Sequence, residues 1–136
     1  MLRPLEMAHQ FLAEVITKED VVVDATMGNG HDTAFLAQLA GQVYAFDIQE
    51  QALVNTQERL DKLDLQDVRL ILDGHQHVDQ YVETLKAAIF NLGYLPSADK
   101  SVITLPATTI EAMEKICVRL EKGGRMAIMI YYGHEG

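Results

Sequence analysis

Apolar and polar positions along the chain switch repeatedly between two periods, one near 3.6 residues and one near two or continuous. Residues 5–16 are amphipathic at helical spacing. The run Val21-Val22-Val23 into Asp24 is short and β-branched, which predicts a strand buried on both faces. After a glycine-rich turn, residues 33–40 put Phe35, Leu36 and Leu39 on one helical face, with Gly41 placed to close the helix in a left-handed conformation. Residues 43–46 predict a second strand, and residues 49–63 a helix carrying Leu53, Thr56, Leu60 and Leu63 at its spacing. Residues 68–72 and 87–90 predict the third and fourth strands. Ile110, Met113, Cys117 and Leu120 form a further helical stripe, opened by a capping box over Thr108-Thr109-Ile110-Glu111 and ended by Gly123-Gly124. Residues 126–132 complete the series as a fifth strand.

Strands alternating with helices imply parallel strands joined by right-handed crossovers. The predicted fold is therefore α/β, an open, doubly wound, mainly parallel sheet with helices on both faces. Ligands of such sheets sit outside the carboxyl ends of the strands, near the point where strand order reverses. The residues at those ends are Asp24, Asp47, Asp73, Asn91 and Tyr131.

Composition bounds this picture without changing it. The 136 residues are 49% hydrophobic, enough for one domain over 1–136 with a real core. Twenty acidic against 11 basic residues leave a charge of −9 and no chain-wide basic footprint for nucleic acid, so composition alone points to a small-molecule enzyme. The lone Cys117 can form neither an internal disulfide nor a multi-thiolate metal site, and is expected as a small hydrophobe on the core face of its helix. No apolar run approaches membrane-spanning length and the N-terminus lacks a signal-peptide pattern, so a cytoplasmic location without membrane partners is expected. His75 and His77 lack a third ligand nearby, so no metal is expected.

The candidate chemistry begins at Asp24-Ala25-Thr26-Met27-Gly28-Asn29-Gly30, where two glycines permit a tight turn and a close approach to a ligand. No Lys-Ser/Thr pair follows, which excludes a phosphate loop, and the third position of a dinucleotide G-x-G-x-x-G is Thr33. Asp47, 17 residues after Gly30, is placed to accept both hydroxyls of a ribose, although Asp47-Ile48-Gln49-Glu50 also has the spacing of a helix cap. Asp73 could accept an adenine amino hydrogen with Gly74 and His75 lining the ring, or cap a helix. Asp32 is either a cap or a partner for an amino group. This set suits S-adenosylmethionine, which has no pyrophosphate, at least as well as NAD. Asn91-Leu92-Gly93-Tyr94-Leu95-Pro96 then places an amide, a flexible turn and an aromatic ring beside the cofactor. It resembles the Asn-Pro-Pro-Tyr element of methyltransferases that act on exocyclic nitrogens, in which carbonyl acceptors orient the amine and an aromatic face holds a base.

The strings from Asp24 to Thr33, Tyr44-Ala45-Phe46-Asp47-Ile48-Gln49, Phe90 to Pro96 and Tyr131-Tyr132-Gly133-His134-Glu135-Gly136 resemble those of the bacterial family called putative rRNA methylases. The resemblance covers essentially the whole chain. It implies S-adenosylmethionine-dependent methylation of 5-aminomethyl-2-thiouridine at the wobble position of tRNA, with the anticodon loop as partner. It further implies that Asn29, Asp32, Asp47, Gln49 and His75 carry cofactor contacts while Asn91 and Tyr94 face the acceptor amine. His134 is a candidate base. Tyr132 stands where the family pattern has proline, and the family fold continues past Gly136 through another helix and an antiparallel strand pair, so the chain is expected to be the cofactor-binding part of a slightly larger enzyme. A homodimer stays open. So do methylation of a small-molecule amine, a nicotinamide-dependent oxidoreductase and a nucleotide-binding module without catalysis.

Overall fold

A computed structural model describes residues 1–95 and 105–132. In chain order the elements are α1 (Pro4–Ala13), β1 (Val21–Asp24), α2 (His31–Leu39), β2 (Gln42–Asp47), α3 (Glu50–Leu63), β3 (Val68–Leu72), a 3-10 helix (His75–Gln80), β4 (Leu85–Leu95), α4 (Ala107–Arg119) and β5 (Leu120–Tyr132). The five strands form one sheet in the order β3-β2-β1-β4-β5, every pair parallel. Strand order reverses between β1 and β4, which places the crevice at the carboxyl ends of those two strands.

Alternation along β1 explains why it is buried on both faces. Val22 joins one core with Leu12, Leu36, Val43, Leu60 and Ile89, drawn from α1, α2, α3 and the sheet. Val23 joins the other with Phe46, Val78, Phe90, Ala112 and Ile116, under the 3-10 helix and α4. Each apolar side chain of this size stabilises the fold by roughly 1.5–3 kcal/mol on full burial, so the two layers together fix the sheet between them.

Four expectations are corrected. The helix closed by residue 41 ends on Ala40 in an extended conformation, and Gly41 is not left-handed. Glycine is needed there because a Cβ would run into the Lys18 carbonyl. The α4 stripe is borne out only in part: Met113 and Leu120 pack partly against the core, but Thr109, Ala112 and Ile116 are the buried residues, while Ile110, Val118 and Cys117 are exposed. A face that packs close to the sheet favours small Ala112, and Thr109 is tolerated because His75 bonds its hydroxyl. Pro106 rather than Thr108 begins α4, without a side-chain cap, and α4 gives way to β5 at Leu120, ahead of Gly123-Gly124. Gly123, at φ +81°, instead lies inside β5, and a Cβ on Gly124 would stand 2.7 Å from the Lys86 carbonyl oxygen of the neighbouring strand. Finally, β4 does not stop at Phe90 but runs to Leu95 through a register shift between Asn91 and Tyr94.

Candidate functional site

The glycine turn is held by three elements, β2, β4 and α3. Ala25 N–H donates to the Ile89 carbonyl of β4 and Met27 N–H to the Phe46 carbonyl of β2. Gly28 N–H donates to Asp47 Oδ2 at 3.0 Å, and the Thr56 hydroxyl of α3 donates to the Gly28 carbonyl. Arg59 Nε donates to the Asn29 carbonyl, and Asn55 Nδ2 to Asn29 Oδ1. Gly28 and Gly30 are both left-handed, at φ +54° and +89°. At Gly30 a Cβ would also stand 2.8 Å from the Thr56 side chain. Glycine therefore serves conformation at Gly28, and conformation and close approach at Gly30.

The acids divide by burial. Asp24 is fully buried, accepting the Thr33 hydroxyl at 2.6 Å and the Thr26 N–H at 3.0 Å. Burial, then the neighbouring Asp32, pushes its pKa up to about 7. Asp24 thus braces the turn from within. Asp32, in the first turn of α2, is 5% exposed and gives no cap; its Oδ1 meets His9 Nε2 at 2.7 Å and its Oδ2 accepts Asn91 Nδ2 at 3.4 Å. Asp47 is half-buried at the end of β2, its Oδ1 accepting Gln49 N–H; Gln49, not Asp47, occupies the N-cap of α3. Asp73 holds three donors: Gly74 N–H, the His77 ring and the Tyr81 hydroxyl. The His77 bond is first among the causes that lower its pKa. That bonding shapes the bend into the 3-10 helix, and Gly74 stands at its N-cap.

Between these strand ends opens a pocket of about 330 Å³, lined among others by Phe46, Asp47, Ile48, Asp73, Gly74 and His75. Ile48 is a large apolar side chain left 74% exposed at its mouth, an apolar face of the kind that covers a flat ring. His75 Nδ1 meets the Ala25 carbonyl at 2.8 Å, and since a carbonyl only accepts, that nitrogen carries the proton. Nε2 lies 3.2 Å from the Thr109 hydroxyl, so His75 ties the turn after β1 to α4. A pocket of this size with a carboxylate at one end and apolar walls fits a nucleoside. The acids around it suit one that bears positive charge.

Asn91 lies beside this pocket at the reversal of strand order. Its backbone N–H donates to Thr26 Oγ1 at 2.7 Å. Just beyond it the ladder to β5 shifts, and Gly93 takes φ +67° with no atom of the described residues within 4 Å of where a Cβ would be. Tyr94 pairs with Tyr131 through the backbone. His134 lies outside the described residues. Among the described residues no cluster of three metal-ligating side chains occurs and no helix is long and apolar enough to cross a membrane.

Sequence reasoning placed the strand-end acids, glycines and Asn91, which the fold brings together around one crevice. It missed Thr26, Thr56, Arg59 and Thr109 as supports of the turn, and His9 as a partner of Asp32. Their spacing carries no motif. Ile48 was detectable as an apolar residue directly after a strand-end acid.

The geometry has close counterparts. A rRNA methylase from Streptococcus thermophilus superposes with TM-score 0.89 at 64% identity, covering 100% of this chain and 74% of that one. A Streptococcus mutans protein described as a putative methyltransferase, solved in complex with SAH, gives TM-score 0.87 at 60% identity over 98% of this chain and 75% of that one. A chloroplastic tRNA (mnm(5)s(2)U34)-methyltransferase of Arabidopsis thaliana is 36% identical over 146 aligned residues, 96% of this chain and 53% of that protein. The chain thus spans about half the length of that curated relative. The sheet is the Rossmann-like sheet of the class I methyltransferases. The family model for Putative rRNA methylase matches residues 43–136, and the chain belongs to that family.

Proposed function

We propose that this chain carries the cofactor site and acceptor-positioning residues of an S-adenosylmethionine-dependent methyltransferase. Its acceptor is the primary amine of 5-aminomethyl-2-thiouridine at the wobble position of tRNA. The observation that carries this reading is Asn91, held by Thr26 and Asp32 at the reversal point, directly beside a nucleoside-sized pocket. The streptococcal complex with SAH supports the cofactor, and the chloroplastic relative supports the substrate.

When bound, the cofactor supplies an electrophilic methyl on a sulfonium. Asp47 would take the ribose hydroxyls through the acceptor capacity left beside its two backbone donors. Gly28, Asn29 and Gly30 set the distance of the turn from the ligand, and Gln49, Asp73, Gly74 and His75 surround the base. Asp32 faces the amino-acid end, where a buried carboxylate at a helix N-terminus favours a cation. Asn91 Oδ1 and the Leu92 carbonyl would accept the hydrogens of the amine, turning its lone pair in line with the methyl. A free alkylamine is largely protonated at neutral pH, so the site must also remove one proton. This reading gives that task to His134 and the stacking face for the base to Tyr94.

An acidic chain can act on RNA if the anticodon loop presents a flipped base to a pocket through few phosphate contacts. The test is transfer of a labelled methyl group to tRNA bearing 5-aminomethyl-2-thiouridine. Wild type is expected to label it, and Asn91→Ala to lower single-turnover rate far more than cofactor affinity. The charge of −9 favours a second reading, a metabolite amine as acceptor. Labelling of such an amine with none on the tRNA would establish that reading instead.

A further inference from the structure

His9 reaches the site from outside the sheet. It projects from α1, 20% exposed, and lies flat on Phe35 of α2, with ring centroids 3.8 Å apart and planes 7° from parallel. That stack fixes the ring plane and aims Nε2 at Asp32 Oδ1, 2.7 Å away. A carboxylate only accepts, so His9 carries a proton on Nε2. The other carboxylate oxygen, Oδ2, likewise only accepts, and it faces the side-chain amide of Asn91 at 3.4 Å. Asn91 must therefore present its NH₂ to Asp32, which turns Oδ1 away. The opposite amide orientation would set two acceptor oxygens against each other.

From this chain of contacts we infer that His9 is a positioning residue for methyl transfer: by holding Asp32 it fixes the amide of Asn91 with Oδ1 toward the acceptor amine. The inference rests on the function proposed above. Without the His9 donor the Asp32 carboxylate loses the bond that fixes its Oδ1, and only the long 3.4 Å contact with Asn91 remains to orient it. Asn91 would then sample both amide orientations, one of which offers the amine donors where it needs an acceptor.

Two substitutions separate the hydrogen bond from the stack. His9→Phe keeps a ring on Phe35 and removes the donor, whereas His9→Gln restores a donor at comparable reach. In the full chain with tRNA bearing 5-aminomethyl-2-thiouridine, His9→Phe is expected to lower the single-turnover rate at saturating cofactor by roughly tenfold to a hundredfold, the scale of a misplaced reacting group. The rate should recover substantially in His9→Gln. Combined with Asn91→Ala, His9→Phe should cost little more, since both act through one amide. An independent readout is the Asn91 side-chain amide signal in nitrogen-15 NMR, expected to move in His9→Phe and to return in His9→Gln. Wild-type rate in His9→Phe, or multiplicative losses in the double variant, would overturn the inference, as would an unmoved Asn91 signal. If wild type fails to methylate the tRNA while the Asn91 signal moves as described, the proposed substrate fails and the His9 contact stands.

Discussion

The turn after β1 and the bulged end of β4 lie side by side at one crevice, yet they are held in different ways. Backbone or side-chain bonds from β2, β4 and α3 reach the turn, and one of its glycines has no room for a methyl group. The ladder of β4 shifts register between Asn91 and Tyr94, and among the described residues nothing stands where a Gly93 Cβ would be. The difference teaches where each half of the chemistry is prepaid. A cofactor of fixed shape gains from a cradle ordered before it arrives. Under the proposed function, an acceptor carried on a larger partner needs room to enter, and only the side chain proposed to orient it, Asn91, must be pinned.

Gly30→Ala should break the contrast most severely. It adds left-handed strain to a contact with Thr56 that includes backbone, for a combined cost of roughly 2–5 kcal/mol, read as a fall in denaturant midpoint. Recovery of most of that loss by Thr56→Ala would assign it to the contact.

Asp24 comes next. Its folded-state pKa of about 7 lies above the ordinary aspartate value of 3.8, so between those pH values the folded chain holds a proton that the unfolded chain has released. Its contribution is fully present below about pH 4 and is lost as pH rises through 7, at most roughly 4 kcal/mol in all, since each pKa unit is worth ~1.4 kcal/mol. Asp24→Asn should flatten that part of the stability–pH curve when unfolding is measured at pH 5 and pH 8. An unchanged slope would show that Asp24 is ionised throughout.

Thr26→Ala tests the tie between the two regions. It removes the acceptor of the Asn91 N–H and should cost about 1–2 kcal/mol, with faster hydrogen exchange at Asn91 than at the paired amides of β1. Gly93→Ala has the smaller effect of the two glycine substitutions. With left-handed φ but free space, it should cost only about 1–2 kcal/mol of strain, near the low end of the range for Gly30→Ala. Equal losses at the two glycines would remove the distinction between a filled cradle and an open strand end.

The periodicity of the chain was enough to order its elements and to put Asp24, Asp47 and Asp73 at strand ends, because parallel crossovers leave those residues few other places. It misjudged α4, where Ile110 and Cys117 matched a helical stripe but face outward. Apolar character marks which residues can be buried, not which helical face meets the sheet. The length of β4 was hidden as well, since Asn91-Leu92-Gly93 reads as a turn and becomes strand only by pairing with β5.

The same division runs through the site. Residue types and spacing alone determined that an acidic, glycine-turned crevice would form where strand order reverses. Which acids brace the turn and which line the pocket was decided only by tertiary structure. Asp24 and Asp47 look alike as strand-end carboxylates, yet one is enclosed by Thr26 and Thr33 and the other stays at the pocket rim. His9, 23 residues before Asp32, acquires its partner only when α1 folds against α2. Such contacts depend on how elements pack across the sheet, and no local sequence pattern encodes that distance.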